Sequence, residues 1–455
     1  MTPDDFNIYN NCLINLINGM FKDFNITSFL TEEAKEKYAA VSDGVLRHSK
    51  LDLSDIAKFL MQPRTETMEV EKQVFLELIN KDIDVTKEDI IERRTNLSSA
   101  SFRDFNRELS GRYYSDRFPS VNDRPIIAFD GTMVSLQQTP RLMEEFGGHP
   151  SKTEIGAPLS RSEILCDAET ETIIDAEFGK FRSDEGSMAV SILSRLPKGL
   201  RDRHPIALFD RKYCGFRTMY ACQRAGVDFV IRVKHNFTKE TDEFFNSGDD
   251  VRKVTLRPRE QSIKRHLKKY PGEEFGKDVE VWLCRSYDGD EPVVLMCSFE
   301  ITREQGLRLY PLRWKAESVI DSLKNLFQIE IFSGHRPEVV RQDFYARLIA
   351  YNIFYLCLHA ATLMCLKQDG EENAKPTKKH KYAYRLNANA SLHRFKEVLP
   401  RLCYAVDVES SLLNLIKFMT KFFEPIRPNR HLVRKFRAIK LFGKYITVQN
   451  YRRAI

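Results

Sequence analysis

The stretch Tyr310-Pro311-Leu312-Arg313-Trp314-Lys315-Ala316-Glu317-Ser318-Val319-Ile320-Asp321-Ser322-Leu323-Lys324 decides how the rest of the chain is read. Its spacing predicts a helix. Tyr310, Arg313, Glu317 and Lys324 stand three, four and seven residues apart, which stacks them along one helical face. Val319, Ile320, Leu323, Leu326 and Phe327 form an apolar stripe on another. One side is then packed into a core, and the other presents a carboxylate between two cations and a phenol. A Glu among Arg and Lys is most often a solvated ion-pair face. Two upstream aspartates argue for more. Asp130 closes the apolar run Pro125-Ile126-Ile127-Ala128-Phe129, and Asp210 closes Pro205-Ile206-Ala207-Leu208-Phe209. A charge straight after a buried strand emerges at a sheet edge, where sites form.

Three carboxylates from separate elements suit a hard divalent cation such as Mg²⁺, which keeps positions open for water and phosphate. Two such ions about 3.5–4 Å apart hold the attacking and the leaving oxygen of a phosphodiester displacement.

The spacing Tyr-x2-Arg-x3-Glu-x6-Lys resembles the signature of the IS4-type transposases, bacterial DDE enzymes with an RNase H-like catalytic domain. Asp130-Gly131-Thr132 resembles the block around their first Asp. Asp210-Arg211-Lys212-Tyr213-Cys214-Gly215-Phe216, followed by Arg232-Val233-Lys234, resembles the block around the second. The likeness runs from about residue 30 to the C-terminus. Its four-residue signature is specific; each Asp block alone is weak.

The resemblance implies that Asp130, Asp210 and Glu317 are the catalytic residues and the ligands of two Mg²⁺ or Mn²⁺ ions. Water then cuts a transposon end and frees a 3′-OH, which attacks target DNA or the opposite strand. Arg313 and Lys324 are expected to clamp phosphates, and Tyr310 to bond a phosphate or stack on a displaced base. Partners implied are double-stranded DNA, at transposon ends and target, and a second copy of the chain in a homodimer. Asp184, Glu185 and Asp321 are alternative acids, read as neighbouring or surface residues.

Composition agrees with a soluble enzyme. The chain has 455 residues, 42% hydrophobic and 30% charged, enough for two or three ordinary domains and unlike a disordered protein. A net charge of +7 is a mild excess, so its distribution matters more than its sum. The nine cysteines are odd in number and lack a C-x-x-C pair, which argues against a zinc ribbon or a disulfide framework and for a reducing cytoplasm. The family likeness adds a bacterial cell and its nucleoid. Met1–Phe6 has neither the basic start nor the apolar core of a signal peptide. Leu348–Leu366 is long and apolar enough to span a membrane, yet it carries Asn352 and His359 and has no companion span. It is expected to be a buried core helix, with no membrane partner.

The fold class expected is α/β: an RNase H-like mixed-sheet core interrupted by a β-rich insertion, with helical N-terminal and C-terminal regions. Residues 1–118 read as a helical DNA-binding region, with helices over Ser42–Met61 and Ser99–Leu109; a plain helical bundle fits equally, and the family likeness favours DNA. Residues 119–235 read as the first part of the core. They run as a strand over Arg124–Leu136, a hairpin of Glu163–Asp167 with Thr172–Ala176, a helix from Ser187, the strand ending at Asp210, a helix stopped by Gly226, and a strand over Asp228–Val233. Three strands, helix, strand, helix, strand is the RNase H-like order. Residues 236–305 are the insertion, with strands over Val279–Cys284 and Val293–Cys297. Some relatives hold a flipped base with a Trp there, but the matching position is near Val293, and Trp282 reads as strand packing.

Residues 306–370 complete the core with the signature helix and a helix over Glu338–Leu366. Residues 371–455 form a basic helical C-terminal region, helical over Ala390–Phe423. From Pro425 onward there is no Asp or Glu, and Arg434, Lys435 and Arg437 lie among aromatics, which suits a DNA backbone. The function expected is a cut-and-paste DNA transposase. Two rivals stay open: a catalytically silent DNA-binding protein derived from one, and another RNase H-like nuclease.

Overall fold

The structure, a computed structural model, describes residues 3–24, 51, 53–62, 68–78, 83–116, 118, 124–150, 156–288, 291–369, 382–403 and 407–426. The chain divides into two compact units. One comprises Ser120–Thr132 and Arg161–Ile320; the other comprises Met1–Pro119, Met133–Ser160 and Asp321–Ile455. The strands are β1 (Ile126–Ser135), β2 (Gly148–His149), β3 (Ala157–Asp167), β4 (Ile173–Lys180), β5 (Ile206–Phe209), β6 (Asp228–Arg232), β7 (Val251–Leu256), β8 (Val279–Asp288) and β9 (Glu291–Cys297), with a separate pair, β10 (Ala383–Leu386) and β11 (Phe423–Ile426).

The first unit is organised on a mixed sheet in the order β4-β3-β1-β5-β6-β9-β8-β7. Ile126 lies opposite Ile206 and Ala207 opposite Phe229, so β1, β5 and β6 run parallel. Such strands are covered on both faces and read as unbroken apolar runs. Accordingly Ile127, Ala128, Phe129, Ala207, Leu208 and Phe209 are fully buried. Parallel neighbours need crossover helices. Glu185–Leu193 leads from β4 toward β5, and Phe216–Ala225 joins β5 to β6. The latter stops at Gly226 in the left-handed region (φ 69°), as the sequence predicts.

The insertion is not set apart from this sheet. Ile231 of β6 pairs with Met296 of β9, and β9, β8 and β7 continue as an antiparallel meander. Without β9, the β6 ladder would end in unpaired amides. Trp282 sits opposite Cys297 within this meander, and Val293 is buried in β9.

The signature stretch departs from the expected single helix. A 3-10 turn, Tyr310–Arg313, precedes the α-helix Trp314–Asn325. Pro311 opens the turn, where its fixed φ and missing N–H are tolerated. At three residues per turn, positions i and i+3 eclipse, so Tyr310 and Arg313 stay on one face across the turn.

The second unit is mainly helical. Pro337–Asp369 packs against Pro3–Phe24, Leu53–Met61, Ser99–Ser115 and Val408–Met419. Its most apolar window has a mean hydropathy of 1.6 and is 78% buried, so its apolar length serves a core. Two of its polar residues are bonded within the core: Asn352 donates to Asn106 at 2.7 Å, and Arg347 donates to the Ile329 carbonyl at 3.3 Å. Arg94 is also buried, paired with Asp343 at 2.9 Å and bonded to Gln342 (2.8 Å) and Ser333 (2.5 Å). Ser98 caps Ser99–Ser115 where a helix start is predicted. The expected continuous helix over Ala390–Phe423 is instead two helices, Ala388–Leu402 and Val408–Met419, followed by β11. Asp407 starts the second by accepting from the Ser410 amide at 3.0 Å. Of the helix expected over Ser42–Met61, the described part is Leu53–Met61. Arg434, Lys435 and Arg437 lie outside the described residues.

Candidate active site

Three elements of the sheet-based unit contribute acids. Asp130 stands inside β1, half-buried, and its Oδ1 accepts from the Gly131 amide at 2.9 Å. Asp210 follows the last residue of β5 and caps the next turn, accepting from the Arg211 amide at 2.6 Å. Glu317 lies in the first turn of Trp314–Asn325 and accepts from Arg313 at 3.1 Å. Burial pushes the Asp130 carboxyl up to about 6; the charge of Glu317 adds to this, Arg313 opposes it, and Asp210 adds a smaller push. Asp130 therefore feels both of the other acids. Among the described residues, however, no three His, Cys, Asp or Glu side chains are close enough to enclose a metal ion.

Beside Asp210 opens a cleft of about 490 Å³ lined by Asp210, Arg211, Lys212 and Lys234. Three cations and one carboxylate suit a phosphate next to an acid.

Two further acids, one of them unforeseen, stand behind Asp130. Glu163 on β3 is fully buried; Tyr213 donates to its Oε1 at 2.7 Å, and its Oε2 has no hydrogen-bond partner. Burial pushes Glu163 up to about 8, the Tyr213 bond opposes, and the Asp130 charge adds. Glu185, also buried, pairs with Arg161 and Lys212. Both crowd the Gly131 backbone: a Cβ there would lie 2.7 Å from Glu185 Cδ and 3.0 Å from Glu163 Oε2. The only sequence signal for Glu163 is an acid directly before the apolar run Ile164-Leu165-Cys166.

Tyr310 and Arg313 keep the face shared with Glu317, but that face is turned largely into the protein. Tyr310 is fully buried with an unpartnered hydroxyl, so its ring offers no surface to a displaced base. Arg313 is buried as well; its guanidinium holds Glu317, lies 4.0 Å from Asp288, and covers the Trp314 ring at 4.7 Å. It orients a carboxylate rather than facing DNA. Both lie in the 3-10 turn that precedes the helix. Lys324 belongs to the other unit, donating to the Met133 carbonyl at 2.6 Å. Of the alternative acids, Asp184 caps a helix and Asp321 bonds Asn325 at 2.7 Å.

A family model described as "Transposase DDE domain" matches residues 122–353. The chain belongs to that family. It is a DDE transposase, a DNA nuclease and strand transferase, and DDE transposases generally use divalent metal ions. Among solved structures, the cryo-EM piggyBac transposase synaptic complex with hairpin DNA is similar at a TM-score of 0.40 and 10% identity, over 92% of this chain and 85% of that one. No curated protein matches the chain.

The donor chemistry of this transposase suits a hard cation: Asp130, Asp210 and Glu317 offer carboxylate oxygens, the charges of Glu317 and Asp210 raise the cost of ionising Asp130, and Glu163 Oε2 lacks a partner. A pH dependence follows. Between the ordinary values of 3.8 and 4.5 and the raised ones of about 6 and about 8, the folded chain binds more protons than the unfolded chain. Stability from these two groups therefore falls as pH rises through that window. Thermal unfolding in EDTA should show the fall. A divalent cation should raise the midpoint more at about pH 8 than at about pH 5, because it binds carboxylates and not carboxyls. Equal shifts at both pH values would contradict the arrangement.

Proposed function

We propose that this transposase is of the IS4 type, with an RNase H-like core and with Asp130, Asp210 and Glu317 as its catalytic acids. The reading is carried by one observation: Asp130 stands in β1 and Asp210 directly after β5, two adjacent parallel strands, and Glu317, held by Arg313 at 3.1 Å, joins them from a separate element as a charge acting on the half-buried Asp130. The strand order β3-β1-β5-β6, with Asp130 in β1 and Asp210 after β5, supports it. When bound, two Mg²⁺ or Mn²⁺ ions would supply Lewis-acid activation of the attacking and leaving oxygens.

The chain's own residues do the rest. Arg313 fixes the direction of Glu317, and Asp288 braces the same helix by accepting from the Trp314 indole at 2.8 Å. Arg211, Lys212 and Lys234 offer cations to the DNA backbone beside Asp210. Cut-and-paste transposition on double-stranded DNA, by a homodimer on the bacterial nucleoid, is the activity proposed.

The test uses duplexes ending in the inverted repeats that flank the reading frame. With Mg²⁺ or Mn²⁺, the protein should nick each end to leave a 3′-OH and then join it to a plasmid. Binding without nicking would favour the silent DNA-binding reading. Nicking without joining would favour another RNase H-like nuclease.

A further inference from the structure

We propose that the helix Glu260–Lys269 of the insertion is a DNA-backbone grip, a rigidly mounted basic face for duplex phosphates flanking the cleft at Asp210; the inference rests on the proposed site at that cleft. The helix, Glu-Gln-Ser-Ile-Lys-Arg-His-Leu-Lys-Lys, has one acid and four Lys or Arg, and no buried residue. At about 100° per residue, Lys264, Arg265, Lys268 and Lys269 fall in one sector, and Ile263, His266 and Tyr270 in the opposite one. Exposure follows that division: the four cations are exposed, and the other three are half-buried.

The inner face is bolted down. His266 stacks on Phe275 with centroids 3.9 Å apart and bonds Glu273 at 3.0 Å. Arg217 grips the same Glu273 with two bonds, of 3.1 and 2.8 Å, covers the Tyr270 ring at 3.7 Å, and donates to Ser187 at 2.6 Å. Arg217 and Ser187 belong to the crossover helices Phe216–Ala225 and Glu185–Leu193. The basic face is thus held before any ligand arrives, which lowers the ordering cost of binding.

A solvated surface helix would intersperse acids with its cations. Other cations of the insertion have such partners: Lys253 with Glu280 (3.0 Å), Arg257 with Asp278 (3.0 Å), Arg303 with Asp250 (2.9 Å). On the helix, Lys264 meets Glu260 at 3.5 Å, and Arg265 and Lys268 have no ion-pair partner among the described residues. The mount also leads to the cleft. Glu185 pairs with Lys212, which lines the cleft, and Ser187, two residues on, bonds Arg217. The helix and the cleft wall are thus tied through the same crossover helices, and a polyanion with regularly spaced phosphates, long enough to pass both, would satisfy both sets of cations.

The experiment measures binding of the full chain to a duplex of about 30 base pairs in EDTA, across a salt series. In Lys264→Ala/Arg265→Ala/Lys268→Ala, the slope of log K against log salt should become shallower by about 2–3, and affinity at low salt should drop at least about tenfold. Lys264→Arg/Lys268→Arg should keep the native slope. So should Lys198→Ala, an exposed lysine already paired with Asp202. An unchanged slope in the triple variant, with an unchanged thermal midpoint, overturns the proposal. So does tighter retention by anionic lipid vesicles or single-stranded RNA than by duplex. Asp210→Asn separates the two readings, because it should lose nicking and keep the slope. If wild type never nicks but the triple variant still loses slope, the grip stands and the catalytic assignment falls.

Discussion

Asp210→Asn is expected to reduce nicking by at least about a thousandfold, equivalent to about 4 kcal/mol of barrier, while DNA binding and the thermal midpoint barely change. The structure explains the separation. Asp210 is partly exposed at the end of β5, so little packing depends on it. Its Oδ1 accepts from the Arg211 amide, and an asparagine oxygen can accept the same bond. What is lost is the charge. That charge is one of the anionic pushes on Asp130, so the pH-dependent loss of stability assigned to Asp130 should be smaller in the variant and end at lower pH. Plasmid nicking and unfolding profiles across pH read both effects. Cutting at near-native rate would remove Asp210 from the catalytic set.

The second large effect concerns stability. Arg94→Ala is expected to destabilise the helical unit by about 3–5 kcal/mol, because removing one member of a buried ion pair strands the other. Arg94 and Asp343 are both almost inaccessible, and Gln342 and Ser333 lose donors as well. The Ser333 amide and hydroxyl still donate to Asp343, at 2.6 and 2.7 Å, which favours the lower end of the range. Arg94→Met combined with Asp343→Leu should recover much of the loss, since no buried charge is then left alone. Denaturant unfolding measures both. A single-variant loss below about 1 kcal/mol would mean that water reaches the pair.

Much of the sheet was legible because strands covered on both faces declare themselves as unbroken apolar runs, and β1 and β5 each carry an acid at or beyond the end of such a run. The hairpin β3–β4, the Gly226 stop and the Ser98 cap follow from local chemistry in the same way. What escaped reading depends on distant partners or on which way a face turns. Nothing near Arg94 in the sequence points to Asp343, and nothing beside Glu163 points to Tyr213. Periodicity counted from Tyr310 brings Tyr310, Arg313 and Glu317 together, as the structure does, but it does not say whether their face meets solvent or the core. The joining of β9 to β6 was equally hidden, because strand runs do not name their neighbours.

That joint has a mechanical meaning. Since the ladder from Met296 to Ile231 and on from Ile231 to Phe209 is continuous, the insertion is no hinged flap. Load applied by a ligand to its outer helix is carried through backbone hydrogen bonds to the strand that ends beside Asp210. On the proposed reading, a duplex seated on that helix would bear directly on the strand that precedes Asp210.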